Sequence, residues 1–266
     1  MAFSHVSSVG GTTTSSGTTI ATSSTLSVSA GYLLCFAYGW IGATTSATIT
    51  SSSNTAIVPS TCFFHENDTG EGIIFGSGQA YILEATAEAS ATFTLTLGAS
   101  RNEKYITASL FSPTAGRRAT FAGDSSDAIQ FSFDNPVTST NASVTTTDGL
   151  GYGQVFFQDQ FVSDVTNSEQ IGGVAATEAF QHPFIHTAWY RVLSANLTGA
   201  ATATATQGDR NWIASVMLFG SEETGGGGGS ASDVPGGGAS RQNLARNAIY
   251  RMKRRDRIYV PAHLAA

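Results

Sequence analysis

Charge is scarce in this chain. Only 12% of its 266 residues are Asp, Glu, Lys or Arg, about half the proportion usual in globular proteins. The few basic residues are also unevenly placed. Residues 1–240 contain six Lys or Arg against 18 Asp or Glu, a net charge of −12. Such a body has no stripe of cations with which to hold a nucleic acid. Cysteine is nearly missing too. Cys35 and Cys62 are the only two, too few for a disulfide scaffold or a zinc site. Both lie among apolar neighbours (LLCFA and STCFF), which reads as two buried thiols. No apolar stretch is long enough for a membrane helix, since the longest, GYLLCFAYGWIGA at 31–43, has 13 residues. The opening MAFSHVSSVGG lacks the charged-then-apolar order of a secretory signal. The expected place of synthesis is therefore a cytoplasm.

Helical periodicity is missing from the first 222 residues. Alternation takes its place. In ATFTLTLGAS, Phe93, Leu95 and Leu97 alternate with Thr92, Thr94 and Thr96. A period of two over this length belongs to a strand with one buried face. TLSVSAG, KYITASLF, AIQFSFDN, GYGQVFFQDQF and NWIASVMLFG repeat the theme, and GYLLCFAYGW reads as a strand buried on both faces. HENDTGEG, SPTAGRR, FAGDSSD and TQGDRN read as the turns between them. With so few charges, the surface has to be made of Ser, Thr, Asn, Gln and Gly, which pleated faces tolerate well. The fold class expected is all-β: short antiparallel strands stacked as sandwiches of jelly-roll or Ig-like type.

The strand pattern occurs twice. Residues 80–112 and 188–220 share only six identities when laid together without gaps, yet their features come in the same order. Each has an aromatic strand, a variable turn, a Thr-alternating strand, a polar turn with Arg and Asn, and a closing strand ending in Leu-Phe. GYLLCF and GYGQVFF are further counterparts. The expected organisation is two tandem units, 1–113 and 114–222, followed by a Gly-rich linker over 223–240 and a basic tail over 241–266.

That tail reverses the charge of the body. It holds seven basic residues and one acid, a net +6. SRQNLARNAIYRMKRR predicts a short amphipathic helix with Ser240 as its N-cap. Leu244, Ile249 and Met252 fall on one face, and the basic residues gather in the last turns. The linker has a root-mean-square reach of about 22 Å. Three occupations suit the tail: an acidic or apolar groove on a protein partner, nucleic acid, or an anionic membrane surface. A solvated, disordered tail is the bland alternative. Phosphate binding alone would not need Ile258 and Tyr259 after the charges, and the apolar face is narrow for a membrane. Protein docking through Leu244, Arg246, Ile249, Arg251, Met252, Arg254, Arg255, Arg257, Ile258 and Tyr259 is the favoured reading, with nucleic acid second and no membrane.

No reaction is spelled out. There is no G-x-S-x-G elbow and no phosphate-binding Gly-Lys-Ser/Thr loop. The acids Glu66, Asp68 and Glu71 crowd one loop that could attract calcium, but their spacing fits a solvated hairpin loop. His182 and His186 lack the glutamate of a zinc-protease motif. With Pro183 between them they read as loop histidines, about 13 Å apart if on one strand. No catalytic residue, metal site or cofactor is expected. Trp40, Tyr81, Tyr105, Trp189 and Trp212 could stack on sugar rings, Trp40 being the one outside a strand-like position, but packing in the core is the favoured reading.

The segments SSVGGTTTSSGTTIATSSTLSVSAGYLLCFAYGW, AYILEATAEASATFTLTLG and KYITASLFS resemble a β-sandwich module of tailed-bacteriophage virion proteins. In that module a Ser/Thr/Gly strand leads into an "sAGdllv" strand, then an alternating "ytFtlt" strand and a "Wsasi.af" closing strand. Tyr32 stands here in place of the usual acid, and Tyr105 and Trp212 open the closing strands. The resemblance covers most of 1–113 and, more faintly, 150–220. It implies a decoration, neck or tail-associated structural protein with no active site. Its partners would be other virion subunits of capsid, neck or tail, and further copies of itself. Its final location would be the virion. The competing expectation is a carbohydrate-binding adhesin.

Overall fold

A computed structural model describes residues 2–224, apart from 43–44, 55–56, 67–73, 133–136, 139–141, 145–148, 159–164, 183–185, 194–196, 200 and 206–209. The expected tail helix lies outside the described residues. The first half of the chain forms β1 (Phe3–Thr13), β2 (Gly17–Ala21), β3 (Leu26–Val28), β4 (Leu33–Ile41), β5 (Ala47–Thr50), β6 (Val58–Glu66), β7 (Ile74–Ile82), β8 (Glu88–Ala91) and β9 (Thr94–Pro113). The second half forms β10 (Arg117–Ser132), β11 (Val137–Thr138), β12 (Ala142–Val144), β13 (Gly149–Gln158), β14 (Val165–Ile171), β15 (Val174–Ala175), β16 (Thr177–His182), β17 (His186–Leu193), β18 (Leu197–Gly199), β19 (Ala201–Ala205) and β20 (Arg210–Glu223). The fold is all-β, and the strand pairings among the described residues are antiparallel.

Two large sheets dominate. The first runs β1-β9-β4-β7-β6 and the second β10-β20-β13-β17-β16. Counted within each half, the order is the same: the opening strand lies beside the closing one, and the closing one beside the aromatic central strand. Smaller pairings agree as well. β3 with β8 has its match in β12 with β18, and β2 and β5 on the start of β9 have theirs in β11 and β14 on β19.

The register repeats down to its irregularities. His5 pairs with Phe111 and Ser7 with Leu110, which leaves Val6 as an extra residue in β1. Phe121 pairs with Phe219 and Gly123 with Leu218, which leaves Ala122 extra in β10. Phe111 and Leu110 stand where Phe219 and Leu218 stand, so the bulge falls at one and the same rung. A bulge re-aims an edge strand and increases its twist. The ungapped comparison of 80–112 with 188–220 therefore holds for β9 and β20. It slips by one residue at β7 and β17. Cys35 pairs with Tyr81 and Tyr152 with Tyr190, so the counterpart of Tyr81 is Tyr190 and not Trp189. One residue of slip exchanges the two faces of a strand, which is why the sequence comparison alone cannot find the match.

Strand β4 shows how the layers form. Leu34, Phe36, Tyr38 and Trp40 point into one core, with Phe93, Leu95, Leu97, Ile106 and Leu110. Leu33, Cys35 and Ala37 point into another, with Phe111, Tyr152, Met217 and Phe219. The first core lies between the first sheet and its outer strands. The second lies between the two large sheets. GYLLCFAYGW is thus buried on both faces, as expected.

Two expected turns are strand. The polar Arg101–Lys104 stretch lies inside the single long strand β9, whose first part pairs with β2 and β5 and whose second part pairs with β1 and β4. Strands that pass from one layer to another do so at a bend or bulge. Here Glu103 takes φ 42°, and the buried Lys104 ammonium donates to the Ser15 and Arg101 carbonyls at 2.7 and 2.6 Å. FAGDSSD, read as a turn, lies within β10. Its polarity marks a bulged edge strand, not a chain reversal. SPTAGRR does turn, with the Arg117 N–H donating to the Thr114 carbonyl at 2.9 Å. The stretches on either side of it do not stand apart, because residues 1–226 make one compact body.

Glycine lets aromatic rings lie close against the strands. A Cβ on Gly39 would run into the Tyr105 ring, and one on Gly10 into the ring of Phe180. Gly39→Ala is expected to cost about 1–3 kcal/mol through overpacking. Gly31→Ala, at an open position, is expected to suffer only the strain of its positive φ. Thermal or denaturant unfolding of the two variants checks this.

Candidate functional site

The layer between the two large sheets has an aromatic part and a polar part. The aromatic part comes in two equivalent sets. Tyr81 stacks on Phe121 at 4.6 Å and meets Phe219 edge-on at 5.5 Å, while Phe121 and Phe219 lie 5.8 Å apart. Tyr190 stacks on His5 at 4.6 Å and meets Phe111 edge-on at 5.3 Å, while His5 and Phe111 lie 5.4 Å apart. By register, Tyr81 corresponds to Tyr190, Phe121 to His5 and Phe219 to Phe111. Each set therefore joins one residue of one half to two of the other. The packing is isologous, in the manner of a twofold dimer interface, but within one chain. Edge follows the same rule: β1 lies against β16, and β6 against β10.

The polar part is built on two similar tetrads, GSGQ at 76–79 and GYGQ at 151–154. Gln79 and Gln154 are fully buried. The Gln79 amide donates to the Tyr152 carbonyl at 3.1 Å, and the Gln154 amide to the Gly78 carbonyl at 2.9 Å. Each sheet thus donates a side-chain N–H to the backbone of the other. The Gln154 amide also donates to Ser215 Oγ at 3.0 Å. Ser109 Oγ lies 3.2 Å from the Tyr152 hydroxyl, and Ser77 Oγ lies 2.9 Å from the Tyr105 hydroxyl. Burial pushes both phenols well above their ordinary pKa, so they stay neutral.

His182 and His186 complete this part. They are not loop histidines. They face one another as a cross-strand pair at the end of the β16–β17 hairpin, with ring centroids 5.5 Å apart. His182 ends β16 and His186 begins its antiparallel partner β17, so the distance expected for a single strand does not apply. His186 is fully buried and stacks on Tyr105 at 4.0 Å. Its Nε2 lies 3.2 Å from Gln154 Oε1. The Gln154 nitrogen is already donating, so Oε1 is the acceptor and His186 Nε2 carries the proton. His186 Nδ1 is then a bare, buried lone pair without a hydrogen-bond partner among the described residues. His182 Nε2 lies 3.4 Å from Thr107 Oγ1. Burial lowers the His182 pKa to about 4, against a weaker raising effect of the Ile106 backbone. Burial first, and the neighbouring His182 second, push His186 well below its ordinary value.

The other candidates fall elsewhere. Trp40 is fully buried in the first core beside Tyr38. Its indole is packed against Gly76 and is not available to a sugar. Trp40 thus takes the core position favoured for it and not the glycan-stacking one, since GYLLCFAYGW stays in strand to Ile41. Tyr81, Tyr105 and Trp189 are buried too. Cys35 is a free, buried thiol whose pKa burial pushes well up. The side chains of Cys62 and Glu66, the loop residues Asp68 and Glu71, and the docking residues from Leu244 to Tyr259 lie outside the described residues. Among the described residues, no group of three or more His, Cys, Asp or Glu could hold a metal ion. No described helix is long and apolar enough to cross a membrane, which says nothing of β-barrels.

Sequence reading missed Gln79 and Gln154. The signal was present in the repeated G-x-G-Q tetrads, each an uncharged amide set in an otherwise apolar, aromatic strand. Such a residue has to find a partner when buried, and only the packing of the sheets shows that the partner is the opposite backbone. What this layer can do chemically is hold: it fixes one register between two sheets. The chain matches none of the protein-family models and none of the curated proteins with which it was compared.

Gln154→Leu would leave the Gly78 carbonyl, Ser215 and the His186 N–H without their partner. A loss of about 2–4 kcal/mol is expected from several stranded polar groups. A surface control such as Thr96→Ala should change stability by no more than about 0.5 kcal/mol. Chemical denaturation curves measure both.

Proposed function

We propose that this chain is a structural component of a bacteriophage particle. Two copies of one antiparallel β-sandwich module, 1–113 and 114–222, form its body. Residues 223–240 are a tether, and 241–266 dock the body to a neighbouring virion subunit of capsid, neck or tail. The observation that carries the modular part is the repeated bulge, with Val6 and Ala122 extra at the same rung. Two unrelated sheets have no reason to share it, whereas two copies of one module do.

The particle assignment is supported by the resemblance to virion modules and by the division of charge. A low-charge, Ser/Thr-surfaced body of −12 and a +6 segment across a Gly-rich stretch suit a displayed body held by an anchor. The apolar residues Leu244, Ile249, Met252, Ile258 and Tyr259 between the arginines give the anchor a face for a groove. The buried layer supports the same reading, because its side chains are used in holding sheets together. The body acts as a scaffold, not an enzyme, needs no cofactor, and takes its place in the virion as repeated copies after synthesis in the host cytoplasm. The buried Trp40 gives a glycan-binding reading no support.

Removing 241–266 tests the anchor. The truncated chain should fold normally yet enter particles at least about tenfold less, since an anchor contributes by effective concentration as well as contact. Normal incorporation, measured by quantitative mass spectrometry of purified particles, would sink the anchor assignment. Binding of the 241–266 peptide to DNA with a steep salt dependence would favour nucleic acid in its place.

A further inference from the structure

The twofold likeness of the inter-sheet layer does not extend to its polar part: by register Gln154 corresponds to Ala37 and Gln79 to Ala188, and the two histidines have no histidine counterpart. By register, His186 corresponds to Ser77, and its partner His182 to Phe63, which pairs with Ser77. Tyr105, on which His186 stacks, corresponds to Ile213. The same rungs of the same fold are thus built once without histidine and once with two. The histidines are not required by the architecture.

Their surroundings are one-sided. The contacts made by the pair come from Tyr105 and Thr107 on β9, Gln154 on β13 and Phe180 on β16. Of these only the Tyr105 phenol titrates, and burial holds it neutral. Tyr152 and Ser77, farther along the layer, are uncharged. Among the described residues, no carboxylate contributes to the balance of either histidine. A proton arriving at His186 has to go to Nδ1, which has no hydrogen-bond partner among the described residues, and its ring centroid lies 5.5 Å from that of a second imidazole. The neighbouring edge is held by shape, with the Phe180 ring seated on Gly10 of β1.

We infer that His182 and His186 form an acid-sensitive latch, which holds the β16–β17 edge of the second sheet against β1 and β9 of the first while both rings are neutral and lets that edge open when they take up protons. Among the described residues, the end of the layer built on Tyr81, Phe121 and Phe219 carries no histidine side chain, and the latch is placed at the opposite end. The direction follows from linkage. The open state binds protons near the ordinary histidine pKa of 6.5, and the closed state only near 4 for His182. Closure is therefore fully favoured above about pH 6.5 and is lost progressively as the pH falls toward 4.

Hydrogen exchange of the full chain, followed by mass spectrometry at pH 7.5 and pH 5 and corrected for the intrinsic rate, reads the latch. Peptides from 177–182 and 186–193 should show an opening constant raised about 30-fold at pH 5 by the His182 proton alone. His186 adds to this, and peptides from 33–41 should not change. Replacing the pair by the residues of the other half, His182→Phe with His186→Ser, should keep protection at pH 7.5 and remove most of the acid response, leaving the part due to His5, which stacks on Tyr190 of β17 and whose pKa burial also lowers. Should that variant fail to fold, His186→Gln alone should reduce the response and leave one histidine of the pair, His182, titrating near 4 by NMR. Unchanged exchange of the hairpin at pH 5, an equal rise throughout the body, or an acid response undiminished by both substitutions would each overturn the latch. The outcome is independent of whether residues 241–266 anchor a particle.

Discussion

Everything in the body depends on the face-to-face burial of the two five-stranded sheets. Their facing sides are not simply apolar. Two aromatic sets supply the non-directional part, of the order of 1.5–3 kcal/mol for each large side chain removed from water. Gln79 and Gln154 supply direction, because an amide donating to one carbonyl of the facing sheet is satisfied in one register only. Sliding one sheet by a residue would strand both amides in a dry layer, at about 1–3 kcal/mol for each unsatisfied group. The aromatic residues therefore make the sheets adhere, and the amides choose how.

Isologous packing explains several features together. Because the same face is used from both halves, each contact of the aromatic set occurs twice, and a small set of residues covers a large layer. The correspondence of Tyr81 with Tyr190 and of Phe219 with Phe111 is not visible by counting identities. His5 stands at the position equivalent to Phe121, and the stacking distance is 4.6 Å in both sets. Gly39 and Gly10 keep room for Tyr105 and Phe180, so glycine in these strands serves close approach, not turning. The departures from twofold likeness then become informative. The histidine pair, with its bare buried nitrogen, is the largest of them within the described residues.

The body is also economical with charge for a physical reason. Strands buried on both faces, such as β4, have no place for an ionised side chain, and the Ser/Thr edges need none to remain hydrated. The exposed Arg118–Glu222 pair at 2.6 Å lies at the end of the layer and contributes little to stability, as surface pairs do. Seven of the 13 basic residues lie at 241–266, after the Gly-rich stretch.

Local pattern was sufficient for the all-β class, for the doubly buried GYLLCFAYGW and for the Thr-alternating strand, because each depends only on neighbours along the chain. It was not sufficient at 101–104 and 121–127. There polar residues look like turns but lie in strands that bend or bulge, and a bent strand is stabilised by partners far away in sequence. The likeness between the halves was legible as an order of features and hidden as an alignment, since a bulge and a one-residue slip displace it. The inward or outward direction of Trp40, the meeting of His182 with His186 and the crossing of Gln79 with Gln154 were decided only by tertiary structure. A side chain's face depends on register, and register is set by which strands pair and which sheets stack, terms that no window of sequence contains.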